Sequence, residues 1–434
     1  MHERVRRATA FALVATVALV APRIGALVAV PYALVAVVAR VVSEGRVFEL
    51  FARPSDRRAG ELKGLIGFSL AATALSLLTA LADLPTTVLV ATLLVLGYGN
   101  LLEVAVTERR DTPLWRAVAF TVGGTGATVG GLALVAAIGG ATVAPTTAVF
   151  LGLSGSLAGA LVRAISFGRD DQLAILGIGV TVWALASLDL GVDPVRLAVA
   201  AGIAGSVGYL SWRLETASVS GMLAGVLLSL ATIVLGGYGW FAVLIAFFGI
   251  GGMASKYRYE TKRELGVAED NEGARGSRNV LGNAGVALAA VIGFAAADAV
   301  SIDPLFFQFA FLGSLSAAMS DTLSSEIGVL FGPPRLITTL ARVEPGTDGG
   351  VTLKGVLVGV GGGAIVAAIA ALAFGVSAQG SVVVVAAGVL GMLVDSILGA
   401  TVEGRWVGNQ AVNFLATLAG AAIAASGAAA LALA

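Results

Sequence analysis

The sequence predicts an all-α, polytopic integral membrane protein with about fifteen transmembrane helices and a cytosolic N-terminus. Three observations carry that expectation. Of 434 residues, 57% are hydrophobic and 12% charged, whereas a soluble globular domain carries roughly a quarter charged residues. Such a chain cannot cover a water-facing surface, so lipid must be its solvent. Its apolar stretches recur at lengths near the ~20 residues that span a hydrocarbon core. Arginine and lysine concentrate in alternate connections, the asymmetry that orients membrane helices. The runs are continuous rather than alternating, which excludes a transmembrane β-barrel.

The first apolar stretch has the basic start of a secretory signal but no clear cleavage site before the next run begins, and it reads as a retained helical hairpin at about 8–21 and 24–42. Further apolar segments follow at 63–82, 87–106, 116–138, 146–165, 172–188, 195–212, 219–235 and 239–255. The last five are 280–299, 304–319, 354–374, 380–400 and 410–432. With the N-terminus inside, Arg4, Arg6, Arg7, the stretch Arg40 to Lys63, Arg109, Arg110, Arg116, Arg163, Arg169 and Arg213 are all cytosolic. So are Lys256 to Arg278, Arg335, Arg342, Lys354 and Arg405. The intervening loops ADLPTT, GGATVAPTT, DLGVDP, GGYGW, VSIDP and GVSAQG carry no lysine or arginine until Arg196, just inside the next helix. Loop character changes along the chain, which suggests an N-terminal membrane region over 1–195 and a second domain over 196–434 with long, chemically mixed cytosolic segments.

Composition also narrows the chemistry. Cysteine is absent, which removes disulfides, thiolate zinc sites and cysteine nucleophiles. The single histidine, His2, lies in the basic N-terminal stub. Net charge is zero, so no whole-protein field attracts nucleic acid, and no nucleic-acid partner is expected.

Four polar clusters fall on the cytosolic side. Residues 254–283 supply Lys256, Arg258, Lys262, Arg263, Arg275 and Arg278, interleaved with Glu269, Asp270 and Glu272. Guanidinium groups suit phosphate, although a positive-inside loop is basic by default. In SDTLSSEIG (320–328), a continuing helix would put Asp321, Ser324 and Ser325 on one face with Glu326 beside them. A carboxylate with hydroxyls at the end of an apolar helix suits a hydrated Mg²⁺ held by oxygen, against the plainer reading of helix capping. In ARVEPGTDGGVTLKG (341–355), Pro345-Gly346 and Gly349-Gly350 bracket Thr347 and Asp348 in a tight turn that either cradles phosphate or merely connects. It lacks the P-loop spacing. Over 391–417, Asp395 lies about a turn and a half inside an apolar helix, near Ser396, and Asn409 and Asn413 share a face further on. An aspartate so placed implies a cation, an arginine from another segment or a proton, against the plainer reading of a structural interhelical hydrogen bond. Together the four clusters fit phosphoryl transfer, in which positioning and charge neutralisation do most of the work.

SKYRYETKRELGVAEDNEGARGSRNVLGN, SDTLSSEIG, PGTDGG, and VDSILGAT followed by N-x-x-x-N resemble the successive motifs of the transmembrane protein 19 family. That family is also known as domain of unknown function 92 and includes the plant and cyanobacterial phytyl-phosphate kinases of tocopherol synthesis. The resemblance covers roughly residues 197–432. It implies a membrane kinase that converts an isoprenyl (phytyl or geranylgeranyl) monophosphate to the diphosphate with a nucleoside triphosphate, CTP being the usual donor in related polyprenol and phytol kinases. Matching positions imply Asp321, Glu326 and Asp395 as catalytic metal or nucleotide-phosphate ligands, with Mg²⁺ on Asp321 and Asp395. Lys256, Arg275 and Arg278 would neutralise phosphate, and the loop of Gly346, Thr347, Asp348, Gly349 and Gly350 would wrap it. Ser324, Ser325, Ser396, Asn409 and Asn413 would support the site. The sequence departs from the family with SDTLSSE where an alanine-bearing SDTxASE-like pattern is commoner, and with GMLVDS for GSLLDS; neither change removes a carboxylate. The alternative is a transporter or lipid flippase whose aspartates bind cations or protons; a non-catalytic membrane scaffold is a third possibility.

Overall fold

The computed structural model describes residues 3–166, 171–188, 190–268 and 275–431. Arg169, Glu269, Asp270 and Glu272, named above, lie outside the described residues, as does His2. Twelve helices among those described are long and apolar enough to cross a membrane, counting Glu3–Val41 as one. Asp171–Ala186 is a shorter apolar helix. Pro304–Gly328 has the length, but its last two turns are polar. The chain divides into two compact units, Met1–Ala198 and Val199–Ala434.

In the first unit, Glu3–Val41 is a bent pair. The helix α1 (Glu3–Thr16) and the helix α2 (Ala29–Val41) are separated by short turns in which Gly25 takes a φ of 56°. The Tyr32 hydroxyl donates to the Ala15 carbonyl at 3.2 Å. Seventeen residues of straight helix would span about 25 Å, so the chain folds back, as the sequence reading of a hairpin expects. Four helices follow: α3 (Lys63–Leu81), α4 (Thr86–Thr107), α5 (Pro113–Ala137) and α6 (Pro145–Ile165). The helix α7 (Asp171–Ala186) completes the unit's bundle. The apolar α4 is at the centre, packed by α1, α5, α6 and α7. Glycines permit this closeness, in the small-residue packing typical of membrane helices: an added Cβ at Gly123 would lie 2.7 Å from the Tyr98 carbonyl oxygen.

One end of α4 carries a buried polar network. Arg163 donates to Glu103 at 2.6 Å and to Asn100 at 3.2 Å, and its guanidinium lies 5.0 Å from the Phe120 ring centre. Asp171 bridges Arg163, at 3.6 Å, to Arg53.

The chain passes from one unit to the next within α8 (Pro194–Arg213). The second unit continues with α9 (Val219–Ala231), a π-helical turn over Thr232–Gly236, and α10 (Tyr238–Lys256). Then come α11 (Ser277–Ala295), α12 (Pro304–Gly328), α13 (Leu353–Phe374), α14 (Ala378–Thr401) and α15 (Asn409–Ala430). Side-chain oxygens set several starts: Ser218, Asp303, Thr352 and Ser377 each accept from a backbone N–H in the following turn. The core helix is α12, packed by α10, α11, α13, α14 and α15. Its neighbours present glycine where they cross it. An added Cβ at Gly420 would lie 2.6 Å from the Gly313 carbonyl oxygen, and one at Gly391 would lie 2.4 Å from Ala317 Cβ. Ser316 adds an interhelical bond to the Val384 carbonyl at 2.8 Å. Between α12 and α13, the short strands β1 (Arg335–Leu336) and β2 (Gly350–Val351) pair antiparallel, Arg335 opposite Val351.

Candidate active site

The Gly391–Ala317 contact fixes what happens one turn further along both helices. Four residues on, the same faces carry Asp395 and Asp321. Asp321 sits two turns before the end of α12, because that helix runs on through SDTLSSEIG. Asp395 sits under two turns before the end of α14. The two carboxyl groups come within hydrogen-bonding reach of each other. Two bare negative charges at that separation repel, so the pair must hold a proton or a cation. Asp395 Oδ1 is buried and has no hydrogen-bond partner among the described residues.

Around this pair lies a cleft of about 280 Å³. Asp321, Thr322, Ser324, Ser325 and Glu326 border it from α12, and Asp395, Ser396 and Gly399 from α14. The first turns of α15 contribute Asn409 and Asn413, and those of α11 contribute Asn279 and Asn283. The loop Gly346–Gly350 closes one side. Its conformation follows from its residues: Gly346 and Gly349 take φ of 83° and 74°, and Gly350 N donates to the Thr347 carbonyl at 2.9 Å. Thr347 Oγ1 donates to the Glu344 carbonyl at 2.8 Å, so it tightens the turn.

Gly349 lies directly on α14. An added Cβ would fall 2.5 Å from Ala400 Cβ and 2.6 Å from the Ser396 carbonyl oxygen. The Gly349→Ala variant is therefore expected to push the loop off the helix and lower stability by about 1–3 kcal/mol, the strain of a non-glycine residue in such a conformation. Thermal unfolding in detergent measures this, with Gly361→Ala as the control because nothing lies within 4 Å of a Cβ there. Equal midpoints for the two variants would remove the close-seating argument.

Several expected residues have contacts that the sequence did not announce. Glu326, expected among the catalytic carboxylates, has both oxygens engaged. Oε1 accepts from Ser255 Oγ at 3.0 Å and Oε2 accepts from Lys262 Nζ at 2.5 Å. Lys262 is fully buried and also donates to the carbonyls of Ala254 and Ser255. Glu326 thus anchors the short helix Tyr259–Glu264 beneath the cleft wall. Lys256 and Arg278, expected to neutralise phosphate, are exposed and do not border the cleft. Of the three expected cations, only Arg275 does. Its backbone pairs with Thr216 and Ser218, and its guanidinium packs 5.6 Å from the Phe247 ring centre against Gly251.

The site residues that sequence reasoning left without a role are Asn279, Asn283, Thr322, Thr352 and Glu403. Asn279 and Asn283 repeat the N-x-x-x-N spacing of Asn409 and Asn413 at the start of another helix. That shared spacing was the available signal. Burial pushes the Glu403 carboxyl above its ordinary value, Asp348 adds to the effect, and a hydrogen bond with Asn409 opposes it. The wall accordingly carries Asp321, Asp348, Asp395 and Glu403 against Arg275, with Glu326 already paired.

Among the described residues, no group of three or more acidic or histidine side chains is close enough to enclose a metal ion. The aspartate pair does fit Mg²⁺ in its usual protein setting, one or two carboxylates with waters and substrate phosphates completing the shell. The donor set is all oxygen, and Asp395 Oδ1 is free to ligate.

The fold and this cleft define a polytopic α-helical membrane protein with a polar site near the ends of its helices. The chain belongs to the family described as integral membrane protein DUF92, which it matches over residues 202–421. An uncharacterised membrane protein of Synechocystis is 34% identical over 203 residues, covering 45% of this chain and 77% of the relative. One from Methanocaldococcus jannaschii is 35% identical over 193 residues, covering 43% and 75%. The chloroplastic protein VTE6 of Arabidopsis thaliana is 30% identical over 213 residues, covering 48% and 64%. No solved structure matches the chain.

Proposed function

We propose that this protein is a membrane-embedded phosphotransferase. It converts an isoprenyl monophosphate, phytyl or geranylgeranyl, to the diphosphate with a nucleoside triphosphate, CTP foremost, on the cytosolic face of the cell membrane. The observation that carries this reading is the Asp321–Asp395 pair set in one cleft with Arg275 and the Gly346–Gly350 loop. A terminal oxygen of the lipid phosphate attacks the γ-phosphorus, the bond to the β-phosphate oxygen breaks, and the products are lipid diphosphate and nucleoside diphosphate. Mg²⁺ held by Asp321 and Asp395 would supply charge neutralisation for the nucleotide phosphates. An acidic wall with one arginine repels bare phosphate, so a divalent cation must accompany the substrate.

Arg275 presents a planar fork suited to two phosphate oxygens. The Gly346–Gly350 loop borders the cleft, where its backbone N–H groups not used within the turn would meet phosphate. Asn279, Asn283, Asn409 and Asn413 supply neutral donors and acceptors around it. The family resemblance supplies the substrate class. Placement of the aspartates within two turns of the helix ends favours transfer over transport, whose sites lie near the bilayer midplane.

The test is direct. Detergent-purified protein is given Mg²⁺, labelled CTP or ATP, and phytyl or geranylgeranyl phosphate. Labelled lipid diphosphate is the expected product. No product with any donor, together with substrate-dependent uptake into vesicles, would replace the kinase with a transporter.

A further inference from the structure

We infer that the N-terminal unit carries a separate phosphate-binding pocket, built for the headgroup of an acidic phospholipid. The pocket encloses about 330 Å³ where α1, α4 and the segment 53–58 meet. Arg4 and Arg7 reach it from α1, and Arg53 and Arg58 from the segment. None of its lining residues is an aspartate or glutamate. The family match begins at residue 202, so this pocket lies wholly outside it.

The nearby carboxylates answer Arg7, Arg53 and Arg57 but not Arg4 or Arg58. Glu3 and Glu49 hold Arg57 at 2.5 Å and 2.9 Å, and Glu3 stands 3.9 Å from Arg7. Asp56 accepts from the Arg53 backbone N–H at 3.0 Å, and Asp171 pairs with the Arg53 guanidinium. Arg4 and Arg58 form no ion pair among the described residues. The Arg7 side chain is only 16% exposed and donates to the Ala52 carbonyl, with Arg4, Arg53 and Arg57 close enough to repel it. Four arginines thus line one pocket, and Arg4 and Arg58 have no carboxylate partner among the described residues, a field that a phosphate anion relieves.

The rest of the wall indicates which phosphate. Ser55 and Asn100 add hydrogen-bonding groups, while Ala8, Phe11 and Val104 form an apolar floor. Arg53 stacks over Phe11 at 5.4 Å. Arginines above apolar side chains, at the end of membrane helices, match a headgroup with its glycerol and first acyl carbons. A soluble phosphate offers the same oxygens but nothing for the apolar floor.

Native mass spectrometry and thermal unfolding of the full-length protein in mild detergent test this. The probes are phosphatidylglycerol, phosphatidylcholine and inorganic phosphate. Phosphatidylglycerol is expected to be retained and to raise the midpoint where phosphatidylcholine does not. The Arg4→Gln/Arg58→Gln variant should bind it roughly tenfold or more weakly, given the contribution of each arginine near a charged headgroup. The control Arg46→Gln/Arg109→Gln removes the same charge from the same unit outside the pocket and should bind as wild type. A midpoint shift produced in full by inorganic phosphate would keep the phosphate pocket and assign it to a soluble anion. Equal retention of both lipids without an effect of phosphate, or unchanged binding by Arg4→Gln/Arg58→Gln, would overturn the inference.

Discussion

Replacing either aspartate of the pair, as Asp321→Asn or Asp395→Asn, is expected to reduce phosphoryl transfer by roughly 10²–10³-fold or more, the effect of losing one preorganised electrostatic group. Asparagine keeps the shape but offers one ligand oxygen and no charge, so it cannot serve Mg²⁺ as a carboxylate does. The accompanying stability change separates a functional pair from a structural one. The two carboxyls crowd each other, and Asp395 Oδ1 has no hydrogen-bond partner among the described residues. With asparagine at either position the pair no longer needs a proton or a cation to coexist, so each variant should unfold at the same temperature as wild type or higher while activity disappears. Asp298→Asn, near the other end of the neighbouring helix, serves as the control. Two fully active aspartate variants would remove both residues from the site. Inactive variants with sharply lowered midpoints would make the pair a structural hydrogen bond instead.

Much of this arrangement is legible in the sequence because membrane helices declare themselves through length and hydropathy. Asp321 and Asp395 each stand close to the end of such a helix, and topology places both ends on one side. Partnership is less legible, since it depends on contacts between distant segments. Lys262 and Glu326 are 64 positions apart, and Arg163 and Glu103 are 60. A basic loop reads as a uniform run of charge, yet its fold buries Lys262, brings Arg275 to the cleft and leaves Lys256 and Arg278 in the open. Tyr259–Glu264 decides this: a one-and-a-half-turn helix, short and polar, with no periodic apolar signal to announce it. The glycines tell a similar story. Gly349 is visible as a turn residue, but its seat against Ser396 and Ala400 requires the packed helix.

The largest loss of stability is expected from Lys262→Met. The ammonium makes three hydrogen bonds, to Glu326 and to the carbonyls of Ala254 and Ser255, and its side chain is 1% exposed. Taking it away leaves the Glu326 carboxylate, 13% exposed, with the Ser255 hydroxyl as a hydrogen-bond donor. Breaking a buried pair from one side costs about 3–5 kcal/mol, because the surviving charge is left uncompensated. Removing both charges avoids that cost, and apolar replacements of similar volume are often neutral. The double variant Lys262→Met/Glu326→Met should therefore recover much of the midpoint lost by Lys262→Met alone. Recovery of folding need not restore the reaction. Lys262 ties Tyr259–Glu264 to the end of α12, where Glu326 shares the cleft wall with Asp321 and Ser325. If the double variant regains its midpoint and phosphoryl transfer together, the ion pair serves folding alone. If the midpoint returns while activity stays low, it also holds the cleft in shape. A Lys262→Met protein as stable as wild type would show that the pair carries neither role.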